Sequence, residues 1–451
     1  MFSLERWIHQ IVGNTLGLEH VSRADIDAYR LLRLRQTLQD VLQKSSFYRE
    51  LIGDCARPRE DVRDLRDLTR IPFTEPHHLS ESPYRFLCIS QAGIARPHSF
   101  VTSGTTGPQK KVFWSHRDIE NIIDFMAAGI ATVAGPQDVV QIMLADGRPY
   151  SQADLLYRGV IKSGAMPVLS GMGLTAEEHL EILENSRVTV LFGYAGRLHR
   201  ISRELQSKTD LRRKGVKVLF LAGEYVPAAM RDELQRLWDC KVYTHYGLTE
   251  MGLGVAIECA AGDGYHFNEA GLLLEVIDPK TGNTVPEGEE GELVFTTLGR
   301  EAMPLIRYRT HDISRLIKEP CPCGAASLLK LDHIRKRMES IVTLDGGDEI
   351  YPSLFDDALF QIPELLDYQV ILTRRKEKEC LNFKVEVTSA AALPLIFDKL
   401  LAMPVISGNI ASGKMISPSI LSFPPGALQS ASRAKKLIVN GGERSPIPPE
   451  T

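Results

Sequence analysis

Hydrophobic positions recur at helical spacing near the start of the chain. Leu31, Leu34, Leu38, Val41 and Leu42 fall on one face, so a helix is predicted within the first 50 residues. A stretch punctuated by Pro58, Pro72, Pro76 and Pro83 follows and reads as loop. Between about 138 and 245 the pattern changes. Short apolar runs, "VVQIML", "AMPVL", "VTVLF" and "VKVLFLA", alternate with amphipathic segments starting near Ser151, Thr175, Gly196 and Pro227. Buried runs alternating with helices predict a parallel sheet covered on its faces. From about 255 to 317 the chain becomes strand-rich, with turns at Pro-Lys-Thr-Gly and Pro-Glu-Gly, which predicts an antiparallel subdomain. Past about 336, a helix at "PSLFDDALFQI", a charged hairpin "YQVILTRRKEKECLNFKVEV", a helix "AALPLIFDKLLAM" and a strand "SPSILSF" form a small α+β pattern. The tail "GGERSPIPPET" has the composition of a disordered end.

The expected fold is therefore α/β. A large N-terminal domain, residues 1–336, carries flanked parallel sheets and an antiparallel β subdomain at about 255–335. A small α+β domain occupies 337–451.

Composition narrows the function classes. The 451 residues are 43% apolar and 24% charged, which suits a folded chain of several domains. A net charge of −4 speaks against a protein that relies on nucleic-acid backbone contacts. Glu5 and Arg6 interrupt what would be the apolar core of a leader peptide, and no run of about 18 apolar residues occurs, so neither secretion nor a membrane span is expected. Seven dispersed cysteines are not a disulfide framework, and a reducing, cytoplasmic setting is the expectation.

Three stretches carry candidate chemistry. The loop Thr102, Ser103, Gly104, Thr105, Thr106, Gly107, followed by Lys110, combines small residues, hydroxyls and an ammonium. That mixture suits phosphate oxygens, although it is not a Walker loop and a polar turn would use the same residues. "YGLTE", Tyr246 to Glu250, follows a strand-like run; Thr249 offers a hydroxyl and Glu250 a carboxylate for Mg²⁺, while a strand end with a solvated Glu is the plainer alternative. "RYRTHDISRL" places Asp312 where it could accept both hydroxyls of a ribose, or simply pair with Arg309 or Arg315.

The order and spacing of these motifs, with "YGLTE" about 140 residues beyond the loop and "YRTHD" about 60 further, resemble the adenylate-forming superfamily, and its phenylacetate–CoA ligase branch in particular. "IPFTEPHHL", "LAGEYVPAAMRDEL" and "GELVFTTLGREAMPLIRYRT" extend the resemblance from about residue 50 to 439. It implies an AMP-forming ligase that activates an aryl or acyl carboxylate with ATP and passes it to coenzyme A. Thr102 to Gly107 with Lys110 would hold the terminal phosphates. Gly223, Glu224, Tyr246 and Gly247 would surround adenine. Thr249 would meet the α-phosphate, Glu250 Mg²⁺, and Asp312 the ribose; Arg337 would be a further nucleotide contact. The resemblance is also compatible with a homodimer.

The chain departs from the superfamily pattern at its C-terminal motifs. The hinge motif G-R-x-D-D reads "KRMES", keeping Arg337 and an acid at Glu339. Where E-G-K-A-x-R carries a catalytic lysine, the chain reads "SASRAKKLIV": Arg433 fills the lysine position, and Lys435 is the expected substitute. Lys414 in "ASGKM" precedes the relevant strand and is set aside. The departures leave open a different acceptor, such as a protein thiol or a cofactor hydroxyl, or an ATP-binding homologue without catalysis.

Cys259, His266, Cys321 and Cys323 make a Cys₃His set suited to tetrahedral Zn²⁺, against the alternative of buried thiols beside an unrelated histidine. Similar positions in the phenylacetate-type branch imply a structural zinc. "GMGLTA" from Gly171 matches a dinucleotide loop, but Thr175 and Glu178 form a capping box that explains the turn without a ligand.

Overall fold

A computed structural model describes residues 2–53, 62–100, 109–145, 147–428 and 438–440. The chain divides into two compact units. One comprises 1–193, 212–223 and 240–334; the other comprises 194–211, 224–239 and 335 onward.

The first unit begins with helices Ser3–Leu16, Arg23–Lys44 and Ser46–Ile52. Leu34, Leu38 and Val41 turn the middle helix toward the core, and Ser22 starts it with a capping box to Asp25. The apolar runs of the sequence become strands Val139–Met143, Met166–Leu169, Val190–Tyr194, Val218–Ala222 and Lys241–Tyr246. The helices His116–Val133, Gln152–Ser163 and Ala176–Ser186 belong to the same unit. Ser151 caps the second of these. Thr175 and Glu178 close a capping box on the third, so the glycines before it need no dinucleotide.

The strand-rich region is split between two sheets instead of forming one subdomain. Strands Ala256–Glu258, Tyr265–Phe267, Leu316–Ile317 and Lys330–Leu331 extend the parallel sheet with antiparallel neighbours, giving nine strands in all. Leu272–Ile277, Gly291–Thr297 and Tyr308–Ser314 pair antiparallel in a separate sheet. Turn signals alone could not separate the two, because both sets of strands are short and alternate through the same stretch of chain.

Residues 246 to 254 leave the large sheet in a tight reversal. Leu253 N–H donates to Leu248 at 2.8 Å, and a Cβ at Gly247 would lie 2.2 Å from the Leu253 carbonyl oxygen. Only glycine fits there.

The second unit is built on the hairpin Leu365–Arg375 and Lys378–Val387, flanked in parallel by Ser419–Phe423 and Ile438–Asn440. A helix not anticipated from the sequence, Pro404–Ala411, follows Leu393–Leu401. Arg200, on helix Ala195–Gln206, forms a buried ion pair with Glu386 of this hairpin. Among the described residues no single helix is long and apolar enough to cross a membrane.

Candidate active site and metal centre

The paired strands Val218–Ala222 and Lys241–Tyr246 end at the same sheet edge, which places Gly223 and Tyr246 side by side in the topology. The carboxyl edge of a parallel sheet is where α/β proteins bind ligands. Gly223 adopts φ 92°, a conformation that glycine takes without strain. Thr249 and Glu250 lie in the single 3₁₀ turn Thr249–Met251 that follows.

Glu250 is buried at 4% exposure, and its carboxylate is shared. The Lys110 ammonium approaches Oε1 at 3.2 Å, and the Tyr308 hydroxyl donates to the same oxygen at 2.8 Å. Lys110 is also 3.2 Å from the Tyr308 oxygen. Nearby in the chain, the Tyr246 hydroxyl donates to Asp312 Oδ2 at 2.6 Å. Lys110, Tyr246, Glu250, Tyr308 and Asp312 are thus tied into two clusters that link the same pair of segments, 246–250 and 308–312. Arg300 adds a hydrogen bond to the Glu250 carbonyl oxygen.

The strand carrying Tyr308 and Asp312 is irregular. Its register against Gly291–Thr297 shifts between Glu292 and Val294, and His311 has φ 62°. The bulge is held by Glu292, fully buried, which accepts from the His311 N–H at 3.1 Å and from Arg309 Nε at 2.9 Å. Thr310 Oγ1 accepts the Asp312 N–H at 3.1 Å. A bulge of this kind re-aims a side chain. Thr74, in "IPFTEP", and Tyr48, in helix Ser46–Ile52, hold the chain just before the strand. Thr74 Oγ1 donates to the Ile306 carbonyl at 2.6 Å, and Tyr48 accepts the Ile306 N–H at 2.9 Å.

Of the residues singled out in the sequence, Lys110, Tyr246, Gly247, Thr249, Glu250 and Asp312 fall in this region of the first unit. Glu224 belongs to the second unit, where its carboxylate accepts the Gly196 N–H at 2.7 Å. Arg337 also belongs to the second unit and is half-buried. Thr102, Ser103, Gly104, Thr105, Thr106, Gly107, Arg433 and Lys435 lie outside the described residues. Tyr308, Arg300 and Glu292 were not singled out. Tyr308 sat inside a quoted motif, but no spacing rule points its hydroxyl at a glutamate 58 residues away.

Cys259, His266, Cys321 and Cys323 converge at the far edge of the nine-stranded sheet, with one ligand atom of each within 4.8 Å of all the others. Cys259 and Cys321 sulfurs are 3.4 Å apart, as are Cys323 Sγ and His266 Nε2. Four ligands at ~2.3 Å from a tetrahedral ion stand about 3.8 Å apart, so the set fits Zn²⁺. His266 Nδ1 lies 3.0 Å from the Leu329 carbonyl, which fixes that nitrogen as the donor and leaves Nε2 for a metal. Burial pushes the Cys259 thiol up to about 12, raises Cys323 and holds the His266 imidazole below its ordinary value. The cysteines are free thiols.

Residues 100–299 match the family model of AMP-binding enzymes. Over 382 residues the chain is 30% identical to a phenylacetate–coenzyme A ligase of Thermus thermophilus, covering 82% of this chain and 83% of that protein. The chain belongs to the phenylacetate–CoA ligase family. The Escherichia coli phenylacetate–coenzyme A ligase is 28% identical over 381 residues, with 83% of this chain and 85% of the relative covered. The fold is similar to that of a 2-hydroxyisobutyryl-CoA ligase in its postadenylation state, with a TM-score of 0.78 and 21% identity, covering 92% of this chain and 89% of the other. The clusters described above therefore sit in an adenylate-forming, phenylacetate–CoA ligase-type fold.

Proposed function

We propose that the chain is an AMP-forming acid–CoA ligase acting on an aryl or acyl carboxylate. The observation that carries this is the pair of clusters, Glu250 with Lys110 and Tyr308, and Tyr246 with Asp312, in a member of the phenylacetate–CoA ligase family.

A carboxylate is a poor acyl donor because oxide leaves badly. Its oxygen attacks the α-phosphorus of ATP, the bond to the bridging oxygen breaks, and diphosphate departs. The thiol sulfur of coenzyme A then attacks the acyl carbon, the carbon–oxygen bond to AMP breaks, and the thiol proton passes to solvent.

Both reactants of the first step are anions. Lys110, paired here with the Glu250 carboxylate, would meet the phosphates, and the Thr249 hydroxyl would donate to the α-phosphate. Each such preorganised donor is worth about 3 kcal/mol in a water-poor site. Glu250 would hold Mg²⁺, which supplies charge neutralisation of the phosphates. Its buried carboxylate, already beside an ammonium, fits a cation. Asp312 would accept the ribose hydroxyls, its position set by the Glu292-held bulge. Lys435, with Arg433 in the usual lysine position, is proposed to supply the C-terminal cation for adenylation. The four-ligand Cys₃His set would hold a structural zinc, closed to substrate.

The test is diphosphate release screened over aromatic and aliphatic acids, with and without coenzyme A. Release for at least one acid, with thioester formed only when coenzyme A is present, is expected. Release followed by transfer to another acceptor would replace the second half of the reading. ATP binding with no release for any acid would replace it with a non-catalytic homologue, the alternative that Arg433 favours.

A further inference from the structure

The donors around Glu250 are unevenly placed. The Lys110 ammonium at 3.2 Å and the Tyr308 hydroxyl at 2.8 Å both meet Oε1. Among the described residues no hydrogen bond goes to Oε2. Arg300 lies close enough for its charge to act on the carboxylate, while its hydrogen bond goes to the Glu250 carbonyl. One oxygen of this buried carboxylate is thus doubly held, and the other keeps its acceptor capacity.

The two donors differ in kind. An ammonium stands on a flexible stem and can turn to another anion. A phenol is rigid, and Tyr308 is fully buried. Its backbone is pinned on both sides. It stands opposite Phe295 in the antiparallel ladder, and Thr74 bridges it from the other edge. The Thr74 N–H donates to the Arg307 carbonyl and the Arg309 N–H to the Thr74 carbonyl, each at 3.0 Å.

The residue before it is strained. Arg307 has φ 47°, in the left-handed region that disfavours a side chain. Its guanidinium donates to Glu275 at 3.0 and 2.8 Å and to the carbonyls of Thr69 at 3.0 Å and Ile71 at 2.6 Å. It also lies over the Phe73 ring, 4.0 Å from the centroid. Such a conformation persists only where its surroundings over-determine it, and it is characteristic of functional sites. Here the anchored, strained arginine fixes the backbone from which the Tyr308 hydroxyl reaches Glu250.

We propose that Tyr308 is the positioning residue of a metal-binding carboxylate: its hydroxyl fixes Glu250 through Oε1 and leaves Oε2 for a divalent cation bound to the nucleotide phosphates. On the ligase reading, where Glu250 holds Mg²⁺ and on which this role rests, a phenol that touches neither metal nor nucleotide sets the cation's affinity. Groups that orient a ligating side chain are worth about 10- to 100-fold in metal affinity.

The full-length protein, with no acid substrate present, is titrated calorimetrically with ATP, once with a chelator and once with saturating Mn²⁺. In the wild type Mn²⁺ is expected to tighten ATP binding. Tyr308→Phe should leave the metal-free dissociation constant within about three-fold and cut the gain from Mn²⁺ about ten-fold or more. Metal-free binding by the variant also reports that it is folded. A gain that stays within about two-fold of the wild type, or a loss shared equally by metal-free and Mn²⁺-loaded ATP, overturns the proposal. Glu250→Gln closes the cycle. A residue that acts through Glu250 has nothing left to position once the carboxylate is gone, so the double variant should match Glu250→Gln within about two-fold. A further large drop in the double variant would overturn the role as well. If the wild type binds no ATP, or Mn²⁺ brings it no gain, the ligase reading or its cation at Glu250 fails and this role with it. A wild-type gain that Tyr308→Phe leaves intact removes the role of Tyr308 alone.

Discussion

The Tyr246 hydroxyl donates a 2.6 Å hydrogen bond to the Asp312 carboxylate, and four residues along each segment, in opposite directions, Tyr308 donates one of 2.8 Å to Glu250. The end of one strand and the start of another are thus latched twice, each time by a phenol on a carboxylate. Both carboxylates are those expected to meet ATP, one at the ribose and one through Mg²⁺. Tyrosine can donate to them without bringing a competing charge, so each keeps acceptor capacity for a ligand.

For Asp312 this gives a graded outcome. Asp312→Asn keeps shape but loses the charged acceptor, and a hydrogen bond to a charged group is worth about 1.5–3 kcal/mol. The ATP affinity should fall roughly 10- to 100-fold by that figure. Tyr246→Phe leaves the carboxylate in place and should cost less. Equal, unmeasurable effects of both substitutions on ATP binding would remove Asp312 from the nucleotide site.

Glu250→Gln should act on turnover and not on folding. The amide still accepts from Tyr308, so the melting temperature should change by only a few degrees, whereas Lys110 loses its counter-charge and Mg²⁺ its ligand. Diphosphate release should drop by about two orders of magnitude or more. Unchanged release would show that the carboxylate does not serve the chemistry.

How much of this was readable in the sequence follows from the kind of signal each part leaves. The parallel strands at 139–143 and 218–222 are predominantly apolar runs with helices between them, and both features are local. The separation of two sheets within 256–331 is not local: short strands carry no mark of their partner. Lys110, Glu250 and Asp312 are reached by motif order, since nothing local dictates that the first two, 140 positions apart, meet at 3.2 Å. Tyr308 escaped because the bulge at 310–312, with His311 at φ 62°, breaks the two-residue alternation by which strand faces are read.

The metal centre makes a compositional prediction. Purified protein should hold about one zinc per chain, with Cys259, Cys321 and Cys323 slow toward thiol reagents until a chelator is added. Removing the metal should lower the melting temperature by roughly 10 °C, because the ligands join strand Tyr265–Phe267 to the loop before Lys330. Less than about half an equivalent of zinc, with all three thiols freely reactive, would leave a cluster of ordinary buried cysteines.

His245 supplies a pH dependence with a definite sign. Its ring stacks on Phe192 at 5.5 Å and meets Phe220 edge-on at 5.4 Å, and its Nε2 is buried without a hydrogen-bond partner among the described residues. Burial pushes the imidazole down to about 4 from an ordinary 6.5. The folded state therefore holds the ring neutral while the unfolded chain takes up the proton. Stability from this group is fully present above about pH 6.5 and is lost progressively as the pH falls toward 4. The loss amounts to about 3 kcal/mol if the whole shift is realised, at 1.36 kcal/mol for each pH unit between the two values. Urea melts of the wild type and of His245→Phe between pH 7 and 4 should diverge, with the wild type losing more stability on acidification. Parallel curves would show that the ring is solvated and titrates normally, so that the aromatic contacts on either side of it do not keep water from its free nitrogen.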